Sequence, residues 1–194
     1  MPSAAIIYGT GEGPMLSRRL TAALREAGFT TVKHPQYADI IIAHSGGTLV
    51  VPLTCKAKMI LLVGPIAGHK GILTSMFRMV LQELRHAWRQ GVLGTWTKKM
   101  LLNTFYIATN PTHLARMWYA DRQNRNQLPT LSASSVGVIS YKDDPWSSHL
   151  GACNLHQQST YTFISFKGLH DDIWANPKEY VTVIRYLYEP RILA

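Results

Sequence analysis

A chain of 194 residues that is 46% hydrophobic and 16% charged is long enough for one well-buried core, too short for two comfortable domains and too apolar to be disordered. Its net charge of +9 gathers anions near the surface. The basic residues are nevertheless scattered as singles and pairs such as Arg18-Arg19 and Lys98-Lys99, with neither a basic run nor an RNA-binding motif, so nucleic acid is not expected as a partner.

The N-terminus MPSAAIIYGTGEG turns to glycines too soon for a signal peptide, and no apolar run approaches the roughly 18 residues of a membrane span; a soluble, cytoplasmic protein is expected. Ala4 to Tyr8 forms a short apolar run closed by the glycine-rich Gly9 to Gly13, which reads as a buried strand entering a loop. Leu16, Leu20, Ala23 and Leu24 recur at helical spacing, and Gly28 follows as a C-cap. Residues 30–33 read as a brief strand and 39–44, with three consecutive isoleucines, as one buried on both faces. A helix is expected from about Thr48 and another buried strand over Lys58 to Val63. Cys55 and Cys153, the only cysteines, are too few for a disulfide framework and lack metal-type spacing, so both read as reduced.

Residues 70–128 change character. Met76, Phe77, Val80, Leu81, Leu84 and Trp88 mark an amphipathic helix, and 98–107 and 112–119 also read as helical. Strands return at Val136 to Tyr141 and Tyr161 to Phe166, and a last helix runs from near Pro177 to about Tyr188. Strands alternating with helices predict a three-layer α/β sandwich around a mostly parallel sheet of about five to six strands, with right-handed crossovers. One conflict stands out. Parallel strands need a crossover of about a dozen residues, yet only about five separate residues 30–33 from the strand at 39–44, so either the first strand or the connecting helix is reduced.

The segment DIIIAHSGGTLVVPL carries the strongest chemical signal: a hydrophobic strand runs into Ala43-His44-Ser45-Gly46-Gly47 and then into a helix. Such a turn is tight, and the residues two before and two after the serine must be small; Ala43 and Gly47 are. A serine at a helix start also faces free N–H groups, which makes the Gly46 N–H a natural donor to a developing oxyanion. The segment resembles the nucleophile elbow of α/β-hydrolases, G-x-S-x-G, with Ala43 in place of the first glycine. Taken alone, the same pentapeptide equally suits a plain or phosphate-binding strand-to-helix turn.

Three further segments are similar to that superfamily. In Tyr8-Gly9-Thr10-Gly11-Glu12-Gly13, the residue after the first glycine corresponds to the family's second oxyanion donor, which implies Thr10; Tyr8 replaces the usual histidine. The glycine spacing does not fit a dinucleotide fingerprint. Asp143-Asp144-Pro145 follows a late strand where the family's acid lies, implying Asp144, with Asp143 in reserve and Tyr141 at the usual glycine. Asp and Pro also favour ordinary turns. His170 lies between the last strand and the last helix, the place of the family's catalytic histidine, with Gly168 before it. Asp171 and Asp172 beside it are either solvated charge or groups that raise its pKa.

The order Ser45, Asp144, His170 is that of the α/β-hydrolases, and each residue follows an expected strand, so a parallel sheet gathers them at one edge. The resemblance covers roughly 4–68 and 134–190 and implies a single α/β-hydrolase domain over 1–194, in which 70–128 is a helical cap-like insertion. It implies a serine hydrolase of the esterase or thioesterase kind, acting on a small-molecule ester or acyl substrate with no metal or organic cofactor. Met76, Phe77, Met79, Trp88, Trp96, Met117 and Trp118 either line an acyl pocket or form plain core. Peripheral membrane contact and a monomeric or homodimeric state both stay open. Two other classes fit the same residues: a protein keeping the fold without turnover, and a basic binder of nucleic acid or anionic lipid.

Overall fold

The computed structural model describes residues 1–9, 12–51, 55–65, 72–89, 91, 93–124, 131, 133–142, 144, 161–168 and 170–188. Strands β1 (Ser3–Ile7), β2 (Thr30–Thr31), β3 (Ile40–His44), β4 (Met59–Val63), β5 (Ser135–Tyr141) and β6 (Tyr161–Phe166) form one sheet in the order β2-β1-β3-β4-β5-β6, and every pairing is parallel. All five residues of β3 and all five of β4 are buried. This is why these strands read as continuous apolar runs, and each isoleucine or leucine so buried stabilises the fold by roughly 1.5–3 kcal/mol.

Two apolar layers cover the sheet. On one face, α1 (Arg18–Glu26), α5 (Asp172–Ala175) and α6 (Pro177–Tyr188) bring Leu20, Leu24, Ile173, Tyr180 and Ile184 onto Ile40, Ile42, Leu61 and Ile139. On the other, Ile41, Ile60, Leu62 and Val138 meet Leu49, Val51 and Ala120. The alternation within each strand is the two-residue period of a pleated sheet buried on both sides. Helix α1 ends as its glycine predicts: Gly28 has φ +88°, Phe29 N–H donates to Leu24 O at 3.0 Å and Gly28 N–H to Arg25 O at 3.0 Å, the paired bonds of a Schellman motif.

The short connection before β3 resolves as a reduction at both ends. Strand β2 has only two residues, and the link from it to β3 contains just a 3-10 turn at Pro35–Tyr37. After β3, a 3-10 helix occupies Ser45–Val50, so the expected helix begins earlier and is shorter than the sequence suggests. Val51 is extended, with ψ 127°. It precedes Pro52, whose ring disfavours helical backbone in the residue before it.

Three helices, α2 (Ile72–Arg89), α3 (Leu93–Thr109) and α4 (Pro111–Asn124), lie between β4 and β5. The insertion is not wholly peripheral: α4 packs on the 3-10 helix after β3, and its Ala120 belongs to the second core. Among the described residues no helix is long and apolar enough to cross a membrane.

Strand order fixes where a site can form. The chain runs outward from β1 to β2, then returns across β1 to β3, so the loops leaving β1 and β3 part in opposite directions at adjacent strand ends. Open α/β sheets bind ligands at such a switch point, beyond the carboxyl ends of the strands. The loops from Tyr8 and from Ser45 meet there.

Candidate active site

Ser45 is the single non-glycine residue with positive φ among the described residues, at φ +52°. His44 before it is still extended, at φ −111° and ψ 139°. The chain therefore reverses within one residue, in a left-handed conformation that costs a serine of order 1 kcal/mol. The surroundings enforce it. A methyl on Gly47 would lie 2.6 Å from Ile7 O and 2.8 Å from Tyr8 O, and one on Gly9 would lie 2.7 Å from Ser45 Cβ. Small residues are thus required because the elbow is pressed against the end of β1. Ser45 itself stays half-buried, and Thr48 Oγ1–H donates to its carbonyl at 2.7 Å. Gly46, in the first turn of the 3-10 helix, is buried, and N–H groups at a helix start have no acceptor within the helix.

Thr10 and the reserve acid Asp143 lie outside the described residues. Glu12 N–H donates to Gly9 O at 3.2 Å.

Asp144 and His170 are brought together. His170 Nδ1 lies 2.5 Å from Asp144 Oδ2, and both residues are buried. Burial opposes charge on the imidazole, but the charge and hydrogen bond of Asp144, helped by Glu12 and Glu83, outweigh it and raise the His170 pKa above the usual histidine value. Asp171 pairs instead with Lys99, and Asp172 accepts from Tyr180 Oη at 3.1 Å and Asn176 Nδ2 at 2.7 Å. Space for the imidazole comes from Gly64, at φ +53°, where a methyl would sit 3.0 Å from both His170 Cε1 and Nδ1. Tyr141, at the usual glycine of the acid segment, is fully buried and bonds Tyr180 Oη at 2.7 Å.

Sequence reasoning missed a second polar cluster under the elbow. Glu12, in the glycine loop, is buried and accepts the Gly9 N–H at 2.7 Å and the Trp174 Nε1–H at 3.1 Å. His44 Nδ1 lies 2.8 Å from its carboxylate, and His44 Nε2 lies 2.8 Å from the His170 carbonyl oxygen. Burial works against the Glu12 charge, but His44, Gly9 and Trp174 together hold its pKa at about 2. A signal existed: a histidine ending a strand as apolar as β3 needs a buried partner, and Glu12 is the one acid in the adjoining loop.

The helical insertion reaches the site with polar side chains. Lys99 of α3 joins Glu83 of α2, at 3.0 Å, to Asp171 beside His170, and His113 Nε2–H of α4 donates to Gly9 O at 3.1 Å. A cavity of about 870 Å³ runs between α1, α2, α3 and α5; Leu16, Trp96, Leu102 and Trp174 give it apolar wall, Arg18 and Lys98 give it charge, and Ser45, Gly46 and His170 do not line it. Of the aromatic residues read as acyl pocket or core, only Trp96 lines it. Phe77, Trp88 and Trp118 are 67%, 73% and 52% exposed, while the side chains of Met76, Met79 and Met117 lie outside the described set.

Among the described residues, His44, His170 and Asp171 form the one group with metal-type donors, whose atoms lie within 4.8 Å of one another. Both nitrogens of His44 and Nδ1 of His170 are already spent on hydrogen bonds. The set is organised for proton-bearing contacts rather than for an ion.

No protein-family model and no curated sequence matches this chain. Its backbone does match solved structures with the α/β-hydrolase fold. An esterase from Exiguobacterium antarcticum superposes with TM-score 0.59 at 10% identity, covering 97% of this chain and 92% of its own. An alpha/beta hydrolase enzyme from a Medee basin deep-sea metagenome library gives TM-score 0.66 at 10% identity, over 96% and 89%. The enol-lactonase from Burkholderia xenovorans LB400 gives 0.64 at 12% identity, over 97% and 92%. The fold is shared over nearly the full length of both chains.

Proposed function

We propose that this chain, which has the α/β-hydrolase fold, is a serine hydrolase that cleaves esters or thioesters through an acyl-enzyme. One observation carries the reading: a buried Asp144–His170 pair at 2.5 Å shares a sheet edge with Ser45, the one serine among the described residues held at positive φ.

In this mechanism His170 takes the Ser45 proton as Oγ attacks the substrate carbonyl, and Asp144 holds the imidazole in the tautomer whose Nε2 is the accepting nitrogen. The oxyanion is stabilised by the Gly46 N–H and, on the family resemblance, by that of Thr10. His170 then returns its proton to the leaving alcohol or thiol, leaving Ser45 acylated. Water, deprotonated by the same imidazole, adds to the acyl carbon, and collapse releases the acid and restores the serine.

Backbone strain at Ser45 supports the role because left-handed serines persist only where the surroundings over-determine them, and such positions cluster at functional sites. The raised pKa of a buried histidine paired to a carboxylate supports it in the same way.

The test is a p-nitrophenyl ester series of increasing chain length, on wild type and Ser45→Ala. Turnover by the wild type, with a loss of at least about a thousandfold in the variant, is the expected result. Equal rates for the two proteins contradict the proposal and favour a fold retained without turnover.

A further inference from the structure

We infer that Glu12 and His44 form a buried carboxylate–imidazolium pair that positions the nucleophile and the base relative to one another. This role rests on the hydrolase reading above.

The charge state follows from counting donors. Glu12 is 4% exposed and His44 fully buried. The Glu12 carboxyl group accepts the Gly9 N–H at 2.7 Å and the Trp174 Nε1–H at 3.1 Å, and His44 Nδ1 lies 2.8 Å from it. Two N–H donors, one on each oxygen of a buried carboxyl group, favour the anion, which can only accept, so Nδ1 brings the proton to the third contact. On the far side of the ring, Nε2 lies 2.8 Å from the carbonyl oxygen of His170, and a carbonyl likewise only accepts. With Glu12 ionised, both bonds therefore exist together only when each nitrogen of His44 carries a proton. Asp171 Oδ1, 4.0 Å from Nε2, adds a second negative group on that side.

The connectivity gives the pair its consequence. His44 is joined by a peptide bond to Ser45, and the oxygen it grips belongs to the backbone of His170. One hydrogen bond thus links the residue before the nucleophile to the base itself. Through Glu12 the same pair holds Gly9, which packs on Ser45 Cβ, and Trp174, whose ring lies edge-on 5.1 Å from His44. Three segments distant in sequence are tied to one buried carboxylate. Catalysis depends steeply on such registration, and a misplacement of about 1 Å can cost about a hundredfold in rate.

A group that merely stabilised the fold would change melting temperature and leave turnover of the folded protein alone. A positioning pair lowers kcat while substrate binding persists. Gln at position 12 keeps the shape but carries no charge and has one acceptor oxygen for the Gly9 and Trp174 donors.

The test takes full-length wild type and Glu12→Gln. Nitrogen-15 NMR of the assigned histidine rings should show His44 protonated on both nitrogens at pH 7; a ring with a single proton overturns the pairing. Folded Glu12→Gln should lose about 10-fold to 100-fold in kcat with KM within about twofold. An unchanged kcat overturns the positioning role even if the protein melts lower. Should Glu12→Gln fail to fold, the wild-type ring spectrum decides. Absence of Ser45-dependent turnover in wild type removes the hydrolase reading and the positioning role with it, whereas the spectrum still reports on the pair.

Discussion

Asp144 Oδ2 lies 2.5 Å from His170 Nδ1 in a region closed to solvent, so the imidazole is held by a charge that burial makes strong. Asp144→Asn removes that charge and leaves the ring free to take the wrong tautomer. Its kcat should fall by about a thousandfold or more. In wild type, kcat/KM should drop as pH falls through the raised His170 pKa, because a protonated imidazole cannot accept the serine proton. With Asp144 neutral, burial dominates and the pKa falls. The acid limb of a pH–rate profile on Asp144→Asn should therefore move to lower pH, and an unmoved limb would contradict the assignment.

Stability should report on Glu12 from the acid side. Its folded pKa of about 2 lies below the ordinary value of 4.5. The stabilisation it provides is therefore complete above the unfolded pKa and is lost as pH falls from about 4.5 towards 2. Urea unfolding at pH 5, 4 and 3 should show a steeper loss for wild type than for Glu12→Gln; parallel losses would mean that the carboxylate is not ionised in the folded state.

The backbone at Ser45 predicts a trade of activity for stability. At φ +52° a glycine is unstrained where a serine is not, so Ser45→Gly should abolish turnover and raise stability by about 1 kcal/mol. Ser45→Ala keeps the strain and should show no such gain. Thermal melting of the two variants beside wild type checks this.

Gly47 should tolerate no side chain. A methyl there meets two backbone carbonyl oxygens, at 2.6 and 2.8 Å, and neither belongs to a flexible group that can turn aside. Gly47→Ala should lose about 1–3 kcal/mol in stability by denaturant titration.

Much of this architecture could be read from the residues. Strands β3 and β4 are buried on both faces and so appear as unbroken apolar runs, and the last helix announces itself with Pro177 at its start. The resemblance to the α/β-hydrolases implied Ser45, Asp144 and His170, and a parallel sheet brings residues that follow its strands to one edge. Other features were not legible for physical reasons. The helix after Ser45 is cut short by the backbone preference of Val51 before Pro52, a local effect that competes with the expected strand-to-helix pattern. The partnership of Glu12 with His44 spans 32 residues and of Trp174 with Glu12 spans 162. No periodicity encodes contacts made at that range. Nor does helical spacing alone distinguish an aromatic stripe facing solvent from one facing a core: Phe77, Trp88 and Trp118 are each more than half exposed.

The most direct test of the account is covalent. Folded wild-type protein treated with a fluorophosphonate and mapped by peptide mass spectrometry should carry the adduct on Ser45, and Asp144→Asn should label far more slowly. No adduct, or an adduct on a different serine, would contradict the assignment of Ser45 as an activated nucleophile.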